Sequence, residues 1–310
     1  MSTSLAGRSF STMTDLSPED LALVLDLAAK VKKHPAEYRQ KLAGRTLGMI
    51  FQKPSLRTRV SFEAGMTQLG GHAIYLAPTD ISLGKRETTE DIAIVLSRMV
   101  DLIMARTFGH DIVADLAKHA TVPVINGLSD HEHPCQILAD FQTIQERKGR
   151  LAGLRFVYCG DGNNVAHSLM LGGAIAGMNV TIVCPAGHEP APEVLAEARQ
   201  LGGASGAQIA VTHDMESGTG DADALYTDVW ASMGQEAEAA ARKKVFAPYQ
   251  INAGVMARAK PDCVVLHCLP AHYGEEITYD VTRTPNSAIF DQAENRLHAQ
   301  KALMLALAGA

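Results

Sequence analysis

Short continuous apolar runs alternate along this chain with stretches whose apolar residues recur at helical spacing. The runs at 46–51 (TLGMIF), 72–77 (HAIYLA), 101–107 (DLIMART) and 122–127 (VPVING) read as buried strands. Between Glu87 and Val100, Ile92, Val95, Leu96 and Met99 fall at i, i+3, i+4 and i+7, one face of a helix. A second series of strands is predicted at 154–160 (LRFVYCG), 179–185 (NVTIVCP), 207–213 (AQIAVTH), 223–229 (DALYTDV) and 263–270 (CVVLHCLP). Strand, helix, strand alternation implies parallel pairing, because the returning chain needs a crossover. The pattern therefore predicts an α/β fold of two doubly wound parallel-sheet domains joined by helices. A helix from Gln136 to about Lys148 joins the two series, and another is predicted from Glu294 to Leu307.

Composition narrows the function classes. The 310 residues suit two domains, and 46% hydrophobic with 20% charged residues is an ordinary globular balance. A formal charge of −6 argues against a nucleic-acid partner, whose affinity would come from a basic surface. Any anion site must be local. Five cysteines, an odd number without CxxC spacing, predict reduced thiols and a cytoplasmic protein. The N-terminus lacks a basic start followed by a long apolar segment, and no apolar run approaches the roughly 20 residues a bilayer requires, so no membrane partner is expected.

Ligands of open parallel sheets gather beyond the carboxyl ends of the strands, which directs attention to the residues after each apolar run. The stretch FQKPSLRTRVSFE at 51–63 crowds Lys53, Arg57 and Arg59 around Ser55 and Thr58 at a helix start. A mere cap accounts for Ser55. It leaves Arg57 unexplained, since a cation in the first turn opposes the helix dipole. A bound phosphate resolves the conflict: free N–H groups, two hydroxyls and a forked guanidinium make an anion cradle.

Arg106, at the end of its strand, is by itself no more than a solvated strand end. His133 and Gln136, in SDHEHPCQ at 129–136, have the groups to polarise a carbonyl and orient an NH₂ group. A zinc reading of His131 and His133 lacks further ligands at a recognised spacing. CGDGNNVAHS at 159–168 raises a dinucleotide fingerprint, but Val165 stands at the third glycine and no acid ends the next strand. The amides of Asn163 and Asn164 suit a small polar substrate better. Asp228 ends a strand ahead of Ser232 and Gly234; an aspartate there also serves to cap a turn. Cys268, at the end of the last strand, is as readily a small buried hydrophobe as a site residue.

Taken in order, SLRTR (55–59), ARTFGH (105–110), HPCQ (133–136), GDGNNVAHS (160–168), DVWASMGQE (228–236), HCLPA (267–271) and AENRLH (293–298) resemble the ornithine carbamoyltransferases over essentially the whole chain. The resemblance implies a carbamoyl phosphate-binding domain at 1–135, with the C-terminal helix, about 293–310, packing back on it. It implies an ornithine-binding domain at 136–292 and an active site in the cleft between the two. Carbamoyl phosphate would be bound by Ser55, Leu56, Arg57, Thr58, Arg106, His133, Gln136 and Arg296, with Cys268 and the Leu269 carbonyl. Asn164, Asp228, Ser232 and Met233 would bind L-ornithine. Catalysis would fall to Arg57, Arg106, His133, Asp228 and Cys268, with no metal or organic cofactor. Two departures stand out. Leu56 replaces the usual threonine of STRTR, and the loop at 80–87 carries Ser82, Lys85 and Arg86 where many ornithine enzymes have a glutamine. That loop is more like the serine-and-lysine loop of aspartate carbamoyltransferases, which reaches into a neighbouring subunit. A homotrimer or an assembly of trimers is therefore expected, with Ser82 and Lys85 adding to the phosphate site.

Overall fold

A computed structural model describes residues 5–81, 87–231 and 236–310. The chain forms two compact units, Met1–Gln142 with Glu294–Ala310, and Thr143–Ala293. In the first unit, β1 (Thr46–Phe51), β2 (His72–Leu76), β3 (Leu102–Arg106) and β4 (Val124–Leu128) lie in the order β2-β1-β3-β4, every neighbouring pair parallel. All of β3, and β1 after Thr46, are buried, which is why they read as unbroken apolar runs. The helix Pro18–Lys33 begins at a Ser17 capping box with proline in its first position, and buries Leu21, Val24, Leu25, Ala28 and Val31.

The second unit holds β5 (Arg155–Cys159), β6 (Asn179–Val183), β7 (Ile209–Thr212), β8 (Ala224–Thr227) and β9 (Val264–His267) in the order β7-β6-β5-β8-β9, again all parallel. Val157, Val183, Leu225, Val265 and Ile277 are among the buried residues of its core. Burial holds the thiols of Cys135, Cys184 and Cys263 up at about 12, so they stay protonated and inert at neutral pH. Cys268 is the half-buried exception among the five.

Strand order reverses once in each sheet, at β1/β3 in the first and β5/β8 in the second. In a doubly wound sheet the crossovers leave in opposite directions there, opening a crevice at the strands' carboxyl ends.

One sequence expectation is corrected. The helix Thr89–Leu96 buries Ile92 and Ala93, whereas Val95 is 46% exposed and Met99, past the helix end, is 73% exposed. The face shared by Ile92, Val95, Leu96 and Met99 is therefore only partly covered by this chain.

Candidate active site

In the first unit the crevice is furnished from β1, β3 and β4. After β1 the chain turns into the helix Leu56–Gln68 with Ser55 as its cap. The Ser55 hydroxyl accepts from the Thr58 N–H at 3.3 Å and donates to the Thr58 hydroxyl at 3.1 Å. Thr58 is fully buried, Leu56 is 75% exposed, and Arg57 is half-buried in a first turn that contains no acid. Arg59 leaves the cluster: it pairs with Glu63 at 3.1 Å and lies over the Tyr75 ring at 4.0 Å.

Arg106 ends β3 and is 5% exposed. Its register with β4 slips, Ala105 facing Asn126 and Arg106 facing Leu128, so Gly127 is the bulged residue. A Cβ at Gly127 would stand 2.5 Å from the Met104 sulfur and 3.3 Å from the Ala105 carbonyl oxygen, so a side chain there would displace Met104. Beyond β4, the helix Pro134–Lys148 starts directly after His133 and brings in Gln136. Gln136 accepts from Arg296 Nη1 at 2.7 Å and donates to Asp140 at 2.8 Å; its carbonyl oxygen keeps a second lone pair. Arg296, from the helix Ile289–Ala308, also donates to the Thr58 hydroxyl at 3.2 Å. The Gln300 amide, oriented by its hydrogen-bond network, accepts from Arg296 Nε at 3.1 Å.

His133 is held neutral. Burial lowers its pKa well below the ordinary 6.5, and the charges of Arg296, Arg106 and Arg57 lower it further. The charges of the same three guanidiniums thus act on one imidazole, whose neutral form has one N–H to offer without adding charge. Lys53, singled out in the sequence only as a neighbour of Ser55, is half-buried over the Phe108 ring at 4.5 Å. Burial, then Arg106, lowers its pKa. It joins the same field.

In the second unit the residues come from β5, β8 and β9. Asp228 follows β8; its Oδ1 accepts from the Val229 N–H at 2.8 Å and from the Cys268 thiol at 2.9 Å. Asn163, after β5, donates to Asp228 Oδ2 at 3.2 Å. Asn164 opens the helix Asn164–Ile175. Leu269 adopts φ +59°, a left-handed conformation unusual for a bulky residue, and a cis bond joins it to Pro270. Its N–H donates to His267 Nδ1 at 2.8 Å, and His267 Nε2 lies 3.0 Å from Glu276 Oε1, both side chains fully buried. Ser232 and Met233, and the loop residues Ser82, Lys85 and Arg86, lie outside the described residues.

Neither a metal nor a dinucleotide suits these groups. Asp228, His267 and Cys268 bring donor atoms within 4.8 Å of one another. However, His267 accepts at Nδ1 and points Nε2 at Glu276, so neither nitrogen is left for an ion. At the GDGNN turn, Gly162 approaches the protein's own backbone rather than a ligand: its N–H donates to the His188 carbonyl at 2.9 Å, and an added Cβ would lie 2.2 Å from Pro190 N. The second glycine of a dinucleotide fingerprint instead lets the backbone approach a pyrophosphate.

Comparison with known proteins matches both units to one family. Residues 8–146 match the model described as "Aspartate/ornithine carbamoyltransferase, carbamoyl-P binding domain", and residues 152–307 match "Aspartate/ornithine carbamoyltransferase, Asp/Orn binding domain". An ornithine carbamoyltransferase of Thermococcus kodakarensis is 55% identical over 311 residues, covering 100% of this chain and 99% of that protein. One of Pyrococcus furiosus, named as anabolic, is 53% identical with coverage of 100% and 99%. A solved structure of ornithine carbamoyltransferase from Pyrococcus furiosus superposes with a TM-score of 0.96 at 53% identity, covering 99% of this chain and 98% of that one. With two parallel-sheet units matched along nearly their full length, the chain belongs to the aspartate/ornithine carbamoyltransferase family.

Proposed function

We propose that the chain transfers the carbamoyl group of carbamoyl phosphate to the side-chain amine of L-ornithine, giving L-citrulline and phosphate. The observation that carries the choice of acceptor is the Asp228 carboxylate, held at the strand ends by Asn163, the Val229 N–H and Cys268. A fixed carboxylate suits an amine or ammonium; a dicarboxylate such as aspartate would meet like charge, at a cost of several kcal/mol. The names of the 53–55% identical relatives support the same reading.

On this reading the amine nitrogen attacks the carbonyl carbon, the bond from that carbon to the phosphate oxygen breaks, and the nitrogen loses a proton. Thr58, Arg106 and neutral His133 donate to the carbonyl oxygen as charge develops, a role that in other enzymes amounts to a few kcal/mol per donor. Ser55, the Leu56 backbone, Arg57 and Thr58 hold the departing phosphate, Arg296 and Gln136 brace them, and Asn164, Asp228, Ser232 and Met233 hold ornithine. Cys268 and the Leu269 carbonyl receive substrate N–H groups. An amine of the lysine type, with a pKa near 10.4, must be deprotonated before it attacks. The decisive assay offers carbamoyl phosphate with ornithine, N-acetylornithine, putrescine and aspartate and measures ureido product. Ornithine is expected to lead; a preference for another amine overturns the reading.

A cytoplasmic setting in arginine synthesis is part of this proposal, supported by the anabolic name of the Pyrococcus furiosus relative. Among the described residues no helix is long and apolar enough to cross a membrane. We also propose a homotrimer or an assembly of trimers. Val95 and Met99, 46% and 73% exposed in the single chain, stand four residues apart and leave apolar surface for a neighbouring copy. Ser82, Lys85 and Arg86 would then complete a neighbour's phosphate site. Mixed trimers of an Arg57→Ala chain with a Lys85→Ala, Arg86→Ala chain should regain activity that neither parent shows. Activity equal to the parental average excludes a shared site.

A further inference from the structure

We infer that Asn163 is a positioning residue whose amide fixes the orientation of the Asp228 carboxylate; this rests on the reading of Asp228 as an ornithine-binding group. Asn163 caps the helix Asn164–Ile175, its Oδ1 accepting from the N–H groups of Val165 at 2.9 Å and Ala166 at 3.2 Å. The Tyr158 hydroxyl lies 3.4 Å from the same oxygen. The cap removes the usual ambiguity of an amide. Turning it over would set NH₂ against two backbone donors, so Nδ2 must face outward. What it meets there is Asp228 Oδ2 at 3.2 Å. The other carboxylate oxygen is occupied by the Val229 N–H and the Cys268 thiol. Donors from three strand ends, those of β5, β8 and β9, thereby hold one carboxylate.

The competing account is a cap and nothing more, and one substitution separates the two. Asn163→Asp keeps the cap, since aspartate caps as well as asparagine and adds favourable charge at the helix N-terminus. It replaces the NH₂ donor with an oxygen aimed at Asp228. Asn163→Ser also keeps a capping oxygen but lacks the donor, and serves as the uncharged second variant. The charged or titratable groups around Asp228 are Cys268, His267, Tyr158 and Asp161, with Glu276 paired to His267 and Arg242 and His188 paired to Asp161.

Steady-state kinetics, isothermal binding of carbamoyl phosphate and melting curves on the full chain test the inference. In Asn163→Asp the ornithine KM should rise about 10- to 100-fold, the loss of a charge-assisted hydrogen bond. Carbamoyl phosphate affinity should stay near wild type in both variants; Tm should stay near wild type in Asn163→Ser, while Asn163→Asp, its carboxyl pKa raised beside Asp228, should lose Tm as pH rises. Because two carboxylates this close share a proton, the kcat/KM ratio of Asn163→Asp to wild type should climb as pH falls from 8 to 6. Asn163→Ser should show a smaller rise in KM without that pH trend. A wild-type ornithine KM in both variants overturns the positioning role while leaving the reaction intact. Losses in Tm and in both substrates together reduce Asn163 to a cap and equally overturn it. If wild type makes no ureido product from ornithine, the reaction assignment fails and takes this inference with it.

Discussion

Arg296, near the C-terminal end of the chain, donates to the hydroxyl of Thr58, 238 residues earlier, at 3.2 Å. Arg296 is 2% exposed and its guanidinium also donates to Gln136 at 2.7 Å, so one planar fork ties together the helix after β1 and the helix after β4. Arg296→Lys keeps the charge and loses the fork. We expect it to lose about 2–3 kcal/mol of stability in urea, and to bind carbamoyl phosphate more weakly, because the buried Gln136 carbonyl loses its Arg296 donor and Thr58 keeps only Ser55 among the described residues. Unchanged urea midpoint and affinity would show that the fork is dispensable.

Arg57 has a narrower role. It is half-buried, in a helical first turn without acids, and nothing in that local geometry favours a cation except an anion to be bound. Arg57→Ala should fold normally and weaken carbamoyl phosphate binding by about 2–5 kcal/mol. Titration calorimetry giving a wild-type Kd would refute the phosphate assignment.

His133 carries a pH signature of definite sign. Its folded pKa is depressed below 6.5 by burial and three arginines, so it is neutral in the fold wherever it is neutral in the unfolded chain, and no stability is lost above about 6.5. Below that, the unfolded chain takes up a proton that the folded one refuses. Stability is therefore lost as pH falls from 6.5 toward the folded pKa, by up to about 1.4 kcal/mol per pH unit for one proton. Denaturant titrations from pH 7.5 to 5 should show a shallower decline for His133→Asn than for wild type. Parallel declines would mean that His133 takes up its proton in the fold.

Asp228 is expected to govern the acceptor alone. Asp228→Asn should raise ornithine KM or lower kcat, by about 10-fold or more, while carbamoyl phosphate affinity stays near normal. Equal damage to both substrates would make Asp228 a structural residue.

Much of the architecture is local information, legible in the order of the residues alone. A parallel strand covered on both faces must be apolar throughout, so TLGMIF announces β1, Thr46–Phe51, residue for residue. A helix start must satisfy its first N–H groups, so Ser55 is recognisable as a cap from its neighbours alone. Likewise the missing third glycine and acid are enough to argue against a dinucleotide, although only the Pro190 backbone against Gly162 shows what fills that space instead.

The rest was decided by pairing at a distance. Periodicity says that Ile92, Val95 and Met99 share a face, but not what covers it, and Met99 is left 73% exposed by this chain. Arg57 and Arg59 stand two residues apart in the same helix; i,i+4 spacing already offers Arg59 to Glu63, but only the packing sets it over Tyr75. Arg296 with Thr58, Gln136 with Arg296, and Asn163 with Asp228 meet because of where each strand lies in its sheet. Sequence determined the strands, the caps and the kinds of group at their ends. Strand order determined which of those groups touch, because hydrogen bonds between residues 65 to 238 positions apart depend on the folded path and leave no periodic trace along the chain.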